Sequence, residues 1–254
     1  MDTKKLVSPE FHVSIGNYEL EEGMSVECTA SQEPQAGWCQ ITLDDEYEGL
    51  LDIKDGEDAV VELGYDGDFD TLLEGSILKA GDSWKELLIR DGMLKLEALY
   101  ITTTFVDCRP QDIIKYMLGL AGVTEYSLDD SRYGKKDIFV VDGKNGVEVL
   151  KEINIFWGLQ KKFYFRGKRF YWGAKEPQSE VYVLEEDETL LSLEKRGQMW
   201  EAETLGIPWL HPGQEVEIKH PDYEGTAEIY KISVKCDERG FTRMRIYFQE
   251  EDGC

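Results

Sequence analysis

The residues with the most chemical potential per unit length lie in "GIPWLHPGQEVEIKHPDYEG", Gly206 to Gly225, which holds two of the chain's three histidines. Paired imidazoles can bind zinc or move protons. His211 and His220, however, are nine residues apart, outside the i, i+4 geometry of a helical zinc pair, and His12 is the one remaining imidazole. Each of the two is followed by proline. Pro212 and Gly213 suit the central places of a type II turn, and His220 ends an alternating strand from Glu215 to Lys219. A structural role for His211, Pro212 and Gly213 therefore outweighs metal binding.

A second candidate is "GYDGDFDTLLEG", where Asp66, Asp68 and Asp70 stand at positions one, three and five of a calcium loop. The sixth position needs a turning glycine and holds Thr71; the twelfth needs a bidentate glutamate and holds Ile77. Asp66 and Asp68 are expected in a solvated hairpin turn, and neither a metal nor a cofactor is expected. GxSxG, HExxH, a glycine-rich phosphate loop and a local cysteine-nucleophile signature are all missing from the sequence. With 52 acidic side chains, carboxylate pairs arise by chance and carry no specificity for glycoside cleavage. The expectation is a protein that is not an enzyme.

The third candidate, "KKFYFRGKRFYW", interleaves Lys161, Lys162, Arg166, Lys168 and Arg169 with aromatic rings, a composition able to stack single-stranded nucleic acid. A hairpin turning at Arg166, Gly167, Lys168 and Arg169 explains the same residues. It would send rings inward against helices and cations outward toward an acidic neighbour. The net charge of −24 favours this second reading, because such a chain repels phosphate and anionic lipid. No stable nucleic-acid binding is expected.

The elements that must position these residues follow from hydrophobic period. From Phe11 to about Thr104, short alternating runs such as "SVECTA" and "AVVELGYDG" are separated by Gly and Asp turns, the rhythm of a barrel or sandwich. "DCRPQDIIKYMLGLAGV" reads as a helix, with Asp107 as its cap, Pro110 in its first turn and Ile113, Ile114, Met117 and Leu118 on one face. "NGVEVLKEINIFWG" reads as another, closed by Gly158. After the aromatic hairpin, alternation at period two returns to the end. The expected fold class is mainly β with an α+β insertion. Residues 1–107 and 176–254 are two β-barrel domains flanking a small α+β domain at 108–175. Strand rhythm makes a duplicated fold plausible, although no repeat is visible residue by residue.

The 41% apolar content and 29 aromatic side chains supply a core for 254 residues. The acidity is uneven, with −17 of the charge in the first hundred residues. Cys28, Cys39, Cys108, Cys236 and Cys254 lack CxxC spacing and read as reduced thiols. No run approaches the ~20 apolar residues that cross a bilayer, and "MDTKKLVSPE" lacks the hydrophobic core of a secretion signal. Membrane insertion is not expected.

Four stretches resemble the baseplate hub proteins of contractile phage tails and related injection particles, tailocins included, of the late-control-protein-D type. "VVELGYDGDFDTLLEGSI" is similar to the strand pair of their first barrel, "RPQDIIKYMLGLAGV" to the helix after it, and "GVEVLKEINIFWGLQKKFYFRGKRFYWG" to their helix and aromatic hairpin. "LGIPWLHPGQEVEIKHPDYEGTAEIYKISVKCDERGFTRMRIYF" is similar to their last barrel. The order of the four carries most of the specificity.

The resemblance implies two tail-tube-like barrels per chain. It further implies a homotrimer whose six barrels match a six-fold tail tube protein, above a separate three-fold spike protein, with tape measure and baseplate wedge proteins as further contacts. Assembly in the bacterial cytoplasm into a virion or extracellular tail particle follows. The runner-up functions are a particle-associated peptidoglycan hydrolase and a carbohydrate-binding β-barrel module. On the hub reading, a lumen lined with carboxylates would repel an acidic cargo. Arg166 to Arg169, His211 to Gly213, Asp66 and Asp68 are the residues expected to shape partner-facing surfaces.

Overall fold

The computed structural model describes residues 8–32, 36–78, 83–237 and 239–249. Seven strands come first: β1 (Glu10–Ile15), β2 (Tyr18–Leu20), β3 (Met24–Ser31), β4 (Trp38–Leu43), β5 (Asp58–Tyr65), β6 (Asp68–Leu78) and β7 (Glu86–Asp91). The middle holds α1 (Met93–Ala98), β8 (Tyr100–Cys108), α2 (Pro110–Leu120), β9 (Tyr126–Leu128), β10 (Lys136–Asn145), α3 (Gly146–Trp157), β11 (Phe163–Arg166) and β12 (Arg169–Trp172). The last strands are β13 (Tyr182–Glu185), β14 (Leu190–Arg196), β15 (Met199–Thr204), β16 (Glu215–His220), β17 (Tyr223–Cys236) and β18 (Thr242–Gln249). The mainly β class with an α+β insertion is as expected.

Two compact units result. The β unit draws on Met1–Gln32, Gly37–Arg90 and Glu176–Cys254, and the α+β unit on Glu33–Ala36 and Asp91–Lys175. The insertion thus begins at Asp91 and not at 108. The physical reason is β8, whose alternation reads as a barrel strand but which pairs with β10 and buries Ile101 in the core of the α+β unit.

Among the described residues, thirteen strands form one sheet in the β unit, along the path β14-β15-β18-β17-β3-β4-β7-β6-β5-β1-β2, with β16 on β17 and β13 on β16. The segments expected as separate barrels meet where β17 pairs antiparallel with β3, from Lys231↔Ser31 to Cys236↔Val26. Period-two alternation aims one side of every strand at a single apolar core. Val234, Cys28, Cys39 and Ile89 lie side by side across four strands and are all buried there. Val234 and Ile89 each contribute about 1.5–3 kcal/mol by leaving water, so the apolar core runs through the junction without a break.

In the α+β unit, α2 starts with Pro110 and is capped from Arg109, whose backbone N–H donates to Asp112 Oδ2 at 2.9 Å. Asp107, expected as the cap, instead belongs to β8, where it ion-pairs with Lys135. α3 opens on a reciprocal box: the Glu148 N–H donates to Asn145 Oδ1 at 2.9 Å, and the Asn145 N–H to Glu148 Oε2 at 2.8 Å. Gly158 closes it in the left-handed region at φ 66°. Gly146 admits no side chain, since a Cβ there would lie 2.9 Å from the Leu96 carbonyl oxygen. Val147, Val149, Leu150 and Ile153 then pack on Leu96, Ile113, Ile114 and Met117. No helix among the described residues is long and apolar enough to cross a membrane.

Candidate functional site

The β unit contains the same strand arrangement twice. β3-β4-β7-β6 and β14-β15-β18-β17 are quartets with identical order and identical chain connections. In each, the first strand pairs with the second. A further strand, β5 or β16, then forms a hairpin with a long fourth strand, whose chain returns as the strand between second and fourth. The long strands are β6 with 11 residues and β17 with 14. Sequence rhythm pointed to this duplication, and strand order makes it explicit.

The quartets sit in tandem, because the last strand of one, β17, pairs with the first strand of the other, β3. β14 is the counterpart of β3, and among the described residues no strand covers its outer edge, which is met only by an isolated bridge from Glu186 to Leu190. A strand edge of this kind is a row of unpaired N–H and C=O groups ready to bind another strand. On β14 it carries the exposed Leu191 at a bulge, then Ser192, Glu194, Lys195 and Arg196.

The side of the quartets turned away from the core is polar, and ion pairs cross it from strand to strand. Arg245 Nε lies 3.5 Å from Glu201 and 3.1 Å from Glu203, Arg243 is 3.7 Å from Glu203, and Arg196 is 3.4 Å from Glu201. Lys235 reaches Glu27 across the junction at 3.6 Å. Cations and carboxylates are interspersed on this face, so it is not the wall of carboxylates that acidity alone suggests.

The histidine turn does its work inside the unit. Gln214 N–H donates to the His211 carbonyl at 3.2 Å and Gly213 has φ 94°, the expected type II geometry. His211, Pro212 and Gly213 are buried, so this stretch does not form a free partner-facing surface. The His211 Nε2 lies 3.0 Å from Asp70 Oδ2, 141 residues away, and the Tyr65 hydroxyl donates to the Gly206 carbonyl at 2.6 Å. Both links tie the β5–β6 hairpin to the β15–β16 connection. Burial pushes the Tyr65 phenol up to about 12 and keeps it a donor.

Asp66 and Gly67, at φ 52° and 81°, form the tight turn of that hairpin, with Asp68 opposite Tyr65. Among the described residues no cluster of His, Cys, Asp or Glu could hold a metal ion. Cys28, Cys39, Cys108 and Cys236 are buried free thiols. Burial first, and then the neighbouring Cys28, push the Cys39 thiol well up, which makes it unreactive. Cys254 lies outside the described residues.

The basic hairpin forms as expected, with Arg166 opposite Arg169 and Gly167 at φ 54°. Its rings differ from expectation. Phe163, Phe165, Phe170 and Trp172 are buried on the core side, while Tyr164 and Tyr171, stacked at 5.2 Å, are buried on the other. All six are covered and cannot stack on bases. The exposed Lys168 and the half-buried Arg169, which meets Glu125 at 3.2 Å, are what the turn presents.

One network escaped the sequence. Asp129, 7% exposed, accepts from the Tyr133 hydroxyl at 2.5 Å and the Ser131 N–H at 2.8 Å, and pairs with Lys161. Burial raises its pKa, but the Lys161, Ser131 and Tyr133 contacts outweigh that and hold the carboxyl well below the usual range. Gln111 adds hydrogen bonds to the carbonyls of Asp129 and Ser131 at 3.0 and 2.9 Å. This lattice fixes the 129–135 loop. Its members are spread over fifty residues, with no motif to mark them.

Neither a protein-family model nor a curated protein sequence matches the chain. Solved structures do. The 43 kDa tail protein of prophage MuSo2 from Shewanella oneidensis is similar over 95% of this chain and 98% of its own, with TM-score 0.77 at 13% identity. A tail protein from Neisseria meningitidis covers 96% and 97%, with TM-score 0.72 at 12% identity. An E. coli type VI secretion component, described as structurally similar to T4 bacteriophage tail proteins, covers 94% of this chain and 77% of its own, with TM-score 0.69 at 11% identity. The fold of this chain is therefore one that phage tail and injection-system proteins share.

Proposed function

We propose that the protein is a structural hub of a contractile tail or injection particle, in which three copies close a ring of six strand quartets. The observation that carries this reading is the β3·β17 junction. One chain already joins two equivalent quartets edge to edge, and the free edge of β14 is the counterpart of the β3 edge that β17 covers. A strand of the next copy laid along β14 would make the corresponding junction between chains. Such head-to-tail contacts generate a ring when the rotation closes.

Three chains then present a six-fold surface to a tail tube while keeping a three-fold axis for a spike. The fold shared with tail proteins over nearly the full chain supports the reading. The ring contacts are obligate and bury more than ~2,000 Å2 each. If the polar face of the quartets lines the lumen, its lining is a lattice of paired charges, and repulsion of cargo by bare carboxylates is not what these residues offer.

Mass measurement in solution across a concentration series tests the proposal. The expected result is a species of three chains. A monomer at every concentration, with or without tail-tube protein, contradicts it.

A further inference from the structure

Strand register brings both quartets' corresponding ends to one rim of the sheet. Thr42 at the end of β4 is opposite Glu86 at the start of β7, Leu43 is opposite Met24, and Cys236 at the end of β17 is opposite both Val26 and Thr242. The starts of β7 and of its counterpart β18 therefore lie on the same rim.

An aromatic ring stands shortly before each of these two strands, and each is exposed in part, Trp84 by 39% and Phe241 by 61%. A cation steadies each one. Lys85 Nζ lies 5.5 Å from the Trp84 ring centre, and the Arg243 guanidinium 4.1 Å from that of Phe241. The exposed part of each ring adds little to folding, and the two rings stand at corresponding ends of the two quartets. Four strand spacings, about 19 Å, separate β7 from β18. Around Trp84 the rim is acidic, with Glu21, Glu22, Asp45, Glu46 and Glu48 exposed.

We infer that Trp84 and Phe241 are paired anchors with which this rim docks onto the end of a tail tube, each ring entering an apolar socket bordered by cations on one tube subunit. This rests on the hub reading above. Two equivalent anchors per chain give a ring of three chains six of them, as a six-fold partner requires. A three-fold partner would use one per chain and give no reason for the second. Aromatic anchors in closed sockets are the usual centres of binding energy, and the acidic surround steers a basic partner.

The test uses the full chain and tubes assembled from the tail-tube subunit of the same particle, with Trp84→Ser, Phe241→Ser, the double variant, and Val140→Ser as a control on the α+β unit. Each single variant is expected to weaken tube binding roughly tenfold and the double roughly a hundredfold. Oligomeric mass should stay unchanged, Val140→Ser should bind as wild type, and Trp84→Phe with Phe241→Tyr should restore binding. High salt should weaken the wild type. A double variant that keeps its oligomeric mass and binds tubes as tightly as wild type overturns the inference and leaves the hub reading standing. Loss confined to one of the two positions overturns the repeated contact. A wild-type ring that does not bind tubes removes the hub reading and the inference with it.

Discussion

The two quartets of the β unit share strand order and differ at one edge. β3 is covered by β17 of the same chain, whereas its counterpart β14 ends the sheet. The surroundings differ too: β1 runs antiparallel to β5, while β13 runs parallel to β16. One of two equivalent edges is thus used inside the chain and the other is not. On the proposed hub reading, the open edge of β14 is the contact that a second copy completes.

The largest expected effect separates the covered edge from the open one. Val234→Asp buries a carboxylate in the β3·β17 junction and should cost more than about 4 kcal/mol, read as loss of the cooperative β signal in denaturant. Leu191→Lys with Ser192→Lys on the open edge should change monomer stability by less than about 0.5 kcal/mol yet weaken self-association at least roughly tenfold. Equal effects at both edges would break the comparison.

A smaller loss is expected from His211→Ala, which empties a buried site and removes the contact to Asp70 that links the hairpin of one quartet to the turn of the other. About 2–3 kcal/mol should be lost in chemical denaturation. In the α+β unit, which lies outside the duplication, Asp129→Asn should cost about 2 kcal/mol at neutral pH. Because the Asp129 pKa is depressed in the folded chain, its contribution is full above the ordinary carboxylate value near ~4 and fades as pH falls below that. Wild type and variant should therefore converge in acid.

Tyr65→Phe is the smallest change, about 1 kcal/mol for one hydrogen bond. The raised phenol pKa means wild type loses this stabilisation as pH climbs from ~10 toward 12, a loss the variant should not show.

Much of this was legible from local rules. Period two gave the strands, Asn145 with Glu148 and Gly158 marked α3, and Pro212 with Gly213 gave their turn. What stayed hidden was decided by distant partners. β8 has a barrel strand's alternation, and only its pairing with β10 assigns it to the insertion. The register that makes one sheet from two segments depends on β3 meeting β17 some two hundred residues later, and alternation has no memory over that range. The aromatic hairpin looked two-faced from its composition, but both faces are covered in the fold, which the pattern of a single hairpin cannot report. Asp70 belongs by local pattern to an acidic hairpin and His211 to a Pro-Gly turn, and only the fold brings the two together.

The most direct test of the account is the arrangement of chains in a ring assembled with tube protein, seen by cryo-electron microscopy. Three copies are expected in one layer, with β14 of each paired antiparallel to a strand of its neighbour and six quartets around the axis. Six copies in one layer, or three copies whose β14 edges touch nothing, would contradict it.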